Sequence, residues 1–260
     1  MNEEPTIASD RGLRLTVIGS AGSFYDPTLG LPCSSYLLEG PRASLLLDCG
    51  FGSFESLATL RPATRLDAII VSHAHRDHIA DLEAFLAASS WWRTAPRLIA
   101  SSATVDALAF DPVTIGVTLL DFVGDGMRVA GNGYVAEFSS TRHQIPTLGV
   151  QVTMGGSRVV YSADTGPGWS FPMTFREADL AVVECTIETR DESSPPNHLD
   201  ARQVAELVGE MAPITTLITH VPPGENGDGR RELVQQHAPE AQVLLARTGL
   251  TLEMGRERPL

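Results

Sequence analysis

The 260 residues carry 32 acidic against 19 basic side chains, a net charge of −13, with 43% apolar and 20% charged residues. That length and balance suit a soluble globular chain able to bury a substantial core. They argue against a bilayer-spanning chain, because no apolar run reaches the length of a span, and against polyanion binding, which needs a basic footprint.

The opening MNEEPTIASDRG is polar and acidic, without the basic and then apolar regions of a secretory signal. Residues 1–12 therefore read as a flexible N-terminus and the chain as cytoplasmic. Alternation marks strands at Leu13–Ile18, Ser35–Leu38 and Ser44–Asp48, with Glu39-Gly40-Pro41 as a hairpin turn. The apolar run Asp67–Val71 suits a strand covered on both faces. Helical spacing of Ile79, Leu82, Phe85 and Leu86 predicts a helix over Asp77–Ala88. Further strands are expected at Arg97–Ala100, Val117–Phe122, Gly133–Ser139, Gly149–Met154, Arg158–Ser162, Leu180–Glu184, Thr216–Thr219, Val243–Ala246 and Thr251–Met254. Helices are expected at Ala103–Phe110, Phe171–Ala178, Asp200–Met211 and Arg230–Gln236. Of these Asp200–Met211 is the cleanest, an acidic residue before an amphipathic run. Gly124–Gly133 and Pro222–Gly229 read as loops, and Arg230-Arg231 as a solvated helix start. Strands dominate the first part and alternate with helices later, with no Ser/Gly-rich linker between. This predicts one α/β unit of two sheets faced by helices.

Three cysteines, Cys33, Cys49 and Cys185, are odd in number and widely spaced. That argues against a disulfide framework or a cysteine-based zinc module, and Cys49 and Cys185 read as buried apolar filler. The histidines tell more. His73-x-His75-x-Asp77-His78 follows the Asp67–Val71 strand directly, and imidazole with carboxylate suits zinc, manganese or iron. His143, Asp164 and His220 each follow an apolar strand in the same way, where ligand sites gather in α/β sheets. Taken singly they have ordinary roles open to them: a loop histidine, the cap of the Asp164-Thr-Gly turn, a strand terminus. Their shared placement is what points to one site.

The ordered set HAHRDH, His143, the SADTG aspartate and the THVPPG histidine resembles the metallo-β-lactamase-fold hydrolases. The resemblance runs from Leu15-Thr-Val-Ile-Gly-Ser-Ala-Gly-Ser to Leu250-Thr-Leu-Glu-Met. It implies a four-layer αββα sandwich, one such domain over 1–260, and two divalent metal ions at one edge between the sheets. Zn2+ is expected first, with Mn2+ or Fe2+ acceptable to the same ligands. By position His73, His75 and His143 would hold one ion, Asp77, His78 and His220 the second, and Asp164 would bridge them. Two such ions about 3.5–4 Å apart share a water and lower its pKa. Two carboxylates set about −2 against about +4 from the ions, so the centre attracts an anionic phosphate even in an acidic chain.

Glu184 ends the Leu180-Ala-Val-Val strand, and His198 precedes Leu199-Asp-Ala-Arg-Gln-Val-Ala-Glu-Leu. Read without the resemblance, these are a strand-end carboxylate and a helix-capping histidine. Together they look like the phosphodiesterase branch, which includes ribonuclease Z and bacterial cyclic-nucleotide phosphodiesterases. The resemblance implies that His198 protonates the leaving oxygen and Glu184 orients it, with Asp77 counted as catalytic as well as a ligand. A diester needs such an acid because its departing alkoxide is strongly basic. The chain departs from tRNA-processing enzymes in lacking a basic arm and in having Cys33-Ser34-Ser35 where they commonly show Arg-Asn. The expectation is hydrolysis of a small phosphodiester, a cyclic nucleotide favoured, with structured RNA a poorer partner and no membrane partner. The alternatives are tRNA 3′-processing, a lactonase or thioesterase on the same metals, and a catalytically silent metal-binding scaffold. Phe24, Tyr25, Trp91, Trp92 and Trp169 are candidates to stack on a base, or else core or dimer contacts, a homodimer being common for the fold. His237 reads as a surface residue of its helix.

Overall fold

A computed structural model describes residues 12–26, 28–62, 64–91, 95–115, 119–175 and 177–255. Of the flexible segment expected over 1–12, all but Gly12 lies outside the described residues, as do Trp92 and the ring of Trp91.

Three strands, β1 (Leu13–Gly19), β2 (Ser35–Glu39) and β3 (Ser44–Leu47), form an antiparallel meander. From β3 the chain adds parallel strands through helices. The first helix, α1 (Ser53–Leu60), leads to β4 (Ala68–Ile70). Next, α2 (Arg76–Ile79) and α3 (Leu82–Trp91) lead to β5 (Arg97–Ala100). Then α4 (Ser102–Asp106) and α5 (Pro112–Ile115) lead to β6 (Leu119–Phe122). The second sheet repeats the plan. Its meander is β7 (Arg128–Gly131), β8 (Tyr134–Ser140), β9 (Leu148–Met154) and β10 (Ser157–Tyr161). Parallel β11 (Leu180–Glu184), β12 (Thr215–Thr219) and β13 (Gln242–Leu245) follow, with α6 (Ala201–Met211) and α7 (Gly227–His237) as crossovers. The last strand, β14 (Thr251–Met254), returns to pair with β1. The orders are β14-β1-β2-β3-β4-β5-β6 and β13-β12-β11-β10-β9-β8-β7.

The period-two rule sorts the apolar side chains into three cores. Leu45 and Leu47 of β3 face inward and meet Leu180 and Val182 of β11 between the sheets. Leu46 faces outward under Leu57 of α1 and Leu82, Phe85 and Leu86 of α3. Ala181 and Val183 face outward under Val204, Leu207 and Val208 of α6 and Val234 of α7. The result is the expected αββα stack. Cys33, Cys49 and Cys185 are all free and buried. Among the described residues no helix is long and apolar enough to cross a membrane.

Several local expectations are corrected. The helix over Asp77–Ala88 is broken at Ala80-Asp81, where the Asp81 N–H leaves the helical ladder and donates to Cys49 O at 2.9 Å. Among the described residues of Phe171–Ala178 the helix shrinks to a 3-10 turn, Met173–Phe175. The Gly124–Gly133 loop contains β7, joined to β8 by the two-residue turn Asn132-Gly133 with Gly133 at φ 83°. Arg230 is not solvated: it is 1% exposed and among the largest fully buried side chains.

Helix α6 owes its start to Asp200, whose carboxylate accepts Gln203 N–H at 2.8 Å while the Gln203 side chain returns to Asp200 N–H at 3.0 Å. Asp200→Ala should therefore cost about 1 kcal/mol, measured as a lower urea midpoint with an unchanged slope.

Candidate metal centre

The carboxyl ends of β3, β4, β8, β10, β11 and β12 open on one edge of the sandwich, and each supplies a polar side chain there. Three of these positions, Asp48 (φ 59°), Ala163 beside Asp164 (φ 51°) and His220 (φ 60°), bend sharply into left-handed backbone. Such residues cost about 1–3 kcal/mol each and persist where the surroundings over-determine them.

All seven side chains expected as ligands converge. His73 Nε2, His143 Nε2 and His75 Nδ1 form one group, with His75 Nδ1 3.1 Å from His73 Nε2 and 3.0 Å from His143 Nε2. His78 Nε2, His220 Nε2 and Asp77 Oδ2 form a second, with separations of 3.3 Å and 3.1 Å from His220 and 3.7 Å between His78 and Asp77. Asp164 stands between. Its Oδ2 is 3.6 Å from His73 Nε2 and 3.7 Å from His143 Nε2, while its Oδ1 is 3.3 Å from both His78 Nε2 and His220 Nε2.

The partners on the far side of each ring define its tautomer. His143 Nδ1 can only donate to the Asn197 carbonyl, at 3.1 Å. His78 Nδ1 donates to Asp48 Oδ2 at 2.7 Å. Ser72 Oγ gives its proton to Asp48 Oδ2 at 2.8 Å, so His73 Nδ1 donates to Ser72 Oγ at 2.9 Å. Thr186 Oγ1 gives its proton to Glu184 Oε2 at 2.6 Å, so His220 Nδ1 donates to Thr186 Oγ1 at 2.7 Å. In its neutral form each of the four rings is thereby left with an Nε2 lone pair aimed into the cluster.

These donors fit divalent cations. Nitrogens 2.0–2.1 Å from a tetrahedral ion stand about 3.3 Å apart, close to the spacings here. Asp164 Oδ1 is buried and no hydrogen bond satisfies it, which is costly without a cation. Burial holds His73 well below its ordinary pKa and lowers His75 and His143, keeping these rings neutral with a lone pair free for a metal. Burial would do the same to His78 and His220. There Asp164 and Asp77, joined at His78 by Asp48, reverse it and raise both. The negative potential that favours a proton at that spot favours a divalent ion equally. Cys33, beside Asp77, is no ligand, because burial and then the Asp77 charge push its thiol up to about 12.

His198 and Glu184 meet as expected, with His198 Nδ1 3.0 Å from Glu184 Oε1. Glu184 is buried and also accepts Thr165 N–H at 2.9 Å and Thr186 N–H at 3.2 Å. The His198 ring stacks on His220 (centroids 5.4 Å) and meets His143 edge to face (5.2 Å). At 12% side-chain exposure it reaches solvent where the neighbouring rings do not. Loop 20–26 closes the other side, with Ser23 N–H on Asp77 Oδ2 at 2.7 Å. A Cβ on Gly22 would lie 2.5 Å from His220 Nδ1, so only glycine allows that approach. Beyond it Phe24, Tyr25 and Phe51 stand exposed at the rim, whereas Trp169 is half-buried on Phe171 with its N–H on Ser140 O. His237 is exposed, as expected.

Sequence reasoning missed Asp48, Ser72, Thr186, Arg190 and Arg230. Asp48 carried a usable signal, a lone acid closing Leu45-Leu-Leu, the same pattern that marked Asp164. Arg190 and Arg230 gave none.

A model of the β-lactamase superfamily domain matches residues 44–221. The chain belongs to that superfamily. It is 28% identical to "Probable metallo-hydrolase YhfI" of Bacillus subtilis, over 81% of this chain and 87% of that one. Its identity to ribonuclease Z of Myxococcus xanthus is 23%, over 93% and 98%. The crystal structure of the B. subtilis metallo-β-lactamase fold protein YhfI superposes with a TM-score of 0.81 at 25% identity, covering 94% and 100%. A diphosphatase of the PhnP family shares the fold, with a TM-score of 0.73 at 21% identity over 93% and 98%. Metal-dependent hydrolysis is the chemistry this superfamily membership supports.

Asp48 is wholly buried and also takes Ser72 N–H at 2.7 Å and Tyr161 O–H at 2.8 Å. Asp48→Ala leaves four donors unpaired and should cost about 3–5 kcal/mol, against about 1 kcal/mol for Tyr161→Phe, both read from denaturant midpoints.

Proposed function

We propose that the chain is a two-metal phosphodiesterase that hydrolyses a small phosphodiester, a cyclic nucleotide being the favoured class. The observation that carries this reading is the His198–Glu184 pair set against the ligand cluster. Lactam or thioester hydrolysis has less need of a separate acid, whereas an alkoxide leaving from phosphorus requires a proton.

In this reading His73, His75 and His143 would hold one divalent ion and Asp77, His78 and His220 the other, with Asp164 available to both. Ions bound there supply Lewis-acid polarisation of the phosphate and a water of lowered pKa. The chain's own residues do the rest. His198 Nδ1–H is committed to Glu184 Oε1, so Nε2 is the atom that delivers a proton to the leaving oxygen. Glu184, held by Thr165 and Thr186, keeps the ring from turning. Asp77 is tied to Ser23 N–H and so couples the rim loop to the ligand set. Phe24, Tyr25 and Phe51 offer exposed aromatic faces to a base beside the mouth. The net charge of −13 disfavours a long polyanion and favours a small substrate. Zinc is the proposed metal, and the cytoplasm the proposed setting.

RNA 3′-processing is the second reading, favoured by the likeness to ribonuclease Z of M. xanthus. A panel of cyclic nucleotides, bis(p-nitrophenyl) phosphate, precursor tRNA, a lactam and a thioester separates the two. Turnover of precursor tRNA above the cyclic nucleotides would overturn the small-substrate reading.

His198→Ala should keep both ions and lose about 10²–10⁴-fold on unactivated diesters, but much less on a nitrophenyl ester, whose leaving group needs no proton. Equal losses on both would remove His198 from the acid role. Stripping the ions with a chelator should lower the melting temperature, and metal at about 100 times its Kd should restore about 2.7 kcal/mol. A melting temperature indifferent to metal would count against the ligand assignment.

A further inference from the structure

The segment carrying His198 runs from β11 to α6 and folds back on itself. Ile187 pairs with Asp200, and Ile187 N–H donates to Leu199 O at 3.1 Å. Inside that fold-back lies Arg190, its side chain only 21% exposed. Its Nη1 donates to Pro195 O at 2.9 Å and its Nη2 to the carbonyl of His198 itself. The Asp200 carboxylate, 3.9 Å from Nε, balances its charge. On the other arm Arg230 reaches in from α7 with a side chain 2% exposed and donates Nη2–H to Thr186 O at 2.8 Å, its charge met by Glu225 and Glu188.

We propose that Arg190 is a positioning residue for His198, gripping the backbone on which the imidazole stands. Neighbouring residues are already held by other means: Asn197 O by His143, Leu199 O by Ile187, Asp200 by its capping box with Gln203. The His198 carbonyl depends on Arg190. A planar guanidinium can reach two carbonyls at once, which a single ammonium point charge does not reproduce. Slippage of the grip would move the ring relative to Glu184, and a misplacement of about 1 Å can cost about 10²-fold in rate.

The inference rests on His198 acting as the proton donor, and the experiment separates the two claims. Full-length zinc-loaded Arg190→Ala, Arg190→Lys and His198→Ala are compared on 3′,5′-cyclic AMP and on bis(p-nitrophenyl) phosphate. Metal content and the histidine ring resonances are recorded for each. Arg190→Ala should retain its metal, lose about 10²-fold on the cyclic diester and much less on the nitrophenyl ester, shift the His198 resonances, and recover in part with added guanidinium. Arg190→Lys should fall between, and it carries the test if the alanine variant does not fold. Unmoved His198 resonances, or discrimination between esters in His198→Ala but not in the Arg190 variants, would overturn the inference alone. Shifted resonances with no ester discrimination in any variant would support the positioning role and remove the acid role from His198.

Discussion

The two oxygens of Asp164 face opposite groups of imidazole, and the rest of the site is arranged so that this buried carboxylate can exist. One oxygen has no hydrogen bond, a state the protein interior penalises unless a positive charge stands beside it. While the rings are neutral nothing on the protein side quenches it by donation, because the Nε2 atoms around it then present lone pairs. Those lone pairs in turn follow from four acceptors placed behind the rings: Ser72, Asp48, Asn197 and Thr186. Replacing one of them would release a ring to turn its N–H inward and satisfy Asp164 directly, and the pull on a cation would fall.

The fold supplies rigidity at the points where the chain bends. Each sheet contributes a meander followed by parallel strands, so parallel strand ends from both halves open on the same edge. The inner core, with Leu45, Leu47, Leu180 and Val182 interleaved, fixes the spacing of the two sheets. That spacing is the distance between the His73–His78 loop on one sheet and Asp164 and His220 on the other. Left-handed backbone at Asp48, Ala163 and His220 then turns each chain sharply at the rim. Well-packed strands can sustain that strain where a loop would relax.

The fold class was legible because alternation and strand–helix order survive in the sequence even where single elements are misjudged. The His73–His78 cluster was legible because its members are neighbours in the chain and are types that rarely crowd together by accident. Distant members were found by position, each a polar residue closing an apolar strand. Asp48 obeys the same rule, a lone acid closing Leu45-Leu-Leu, and was as legible as Asp164. Thr186, Arg190 and Arg230 could not be read, since their work is done through backbone carbonyls or a single hydroxyl, and neither leaves a pattern of residue types. Arg230 misled outright: beside Arg231 at a helix start it looks solvated, yet Thr186, Glu188 and Glu225 enclose it. Burial of an arginine is decided by what surrounds it in three dimensions, and a charge pair in a string says nothing of that.

Glu184 receives His198 through one oxygen and Thr186 through the other, and Thr186 receives His220. A hydroxyl with a single proton cannot serve Glu184 and also donate to His220, so the order His220 to Thr186 to Glu184 is forced. The ring proposed to deliver protons and a ring proposed to hold metal are thus anchored on one carboxylate. Turning His220 would release Thr186, and Glu184 would then lose one of the donors that hold it under His198. In the proposed reading, metal binding and the aim of the acid would therefore be linked by the same three hydrogen bonds, and a cation on His220 that locked its tautomer would also steady His198.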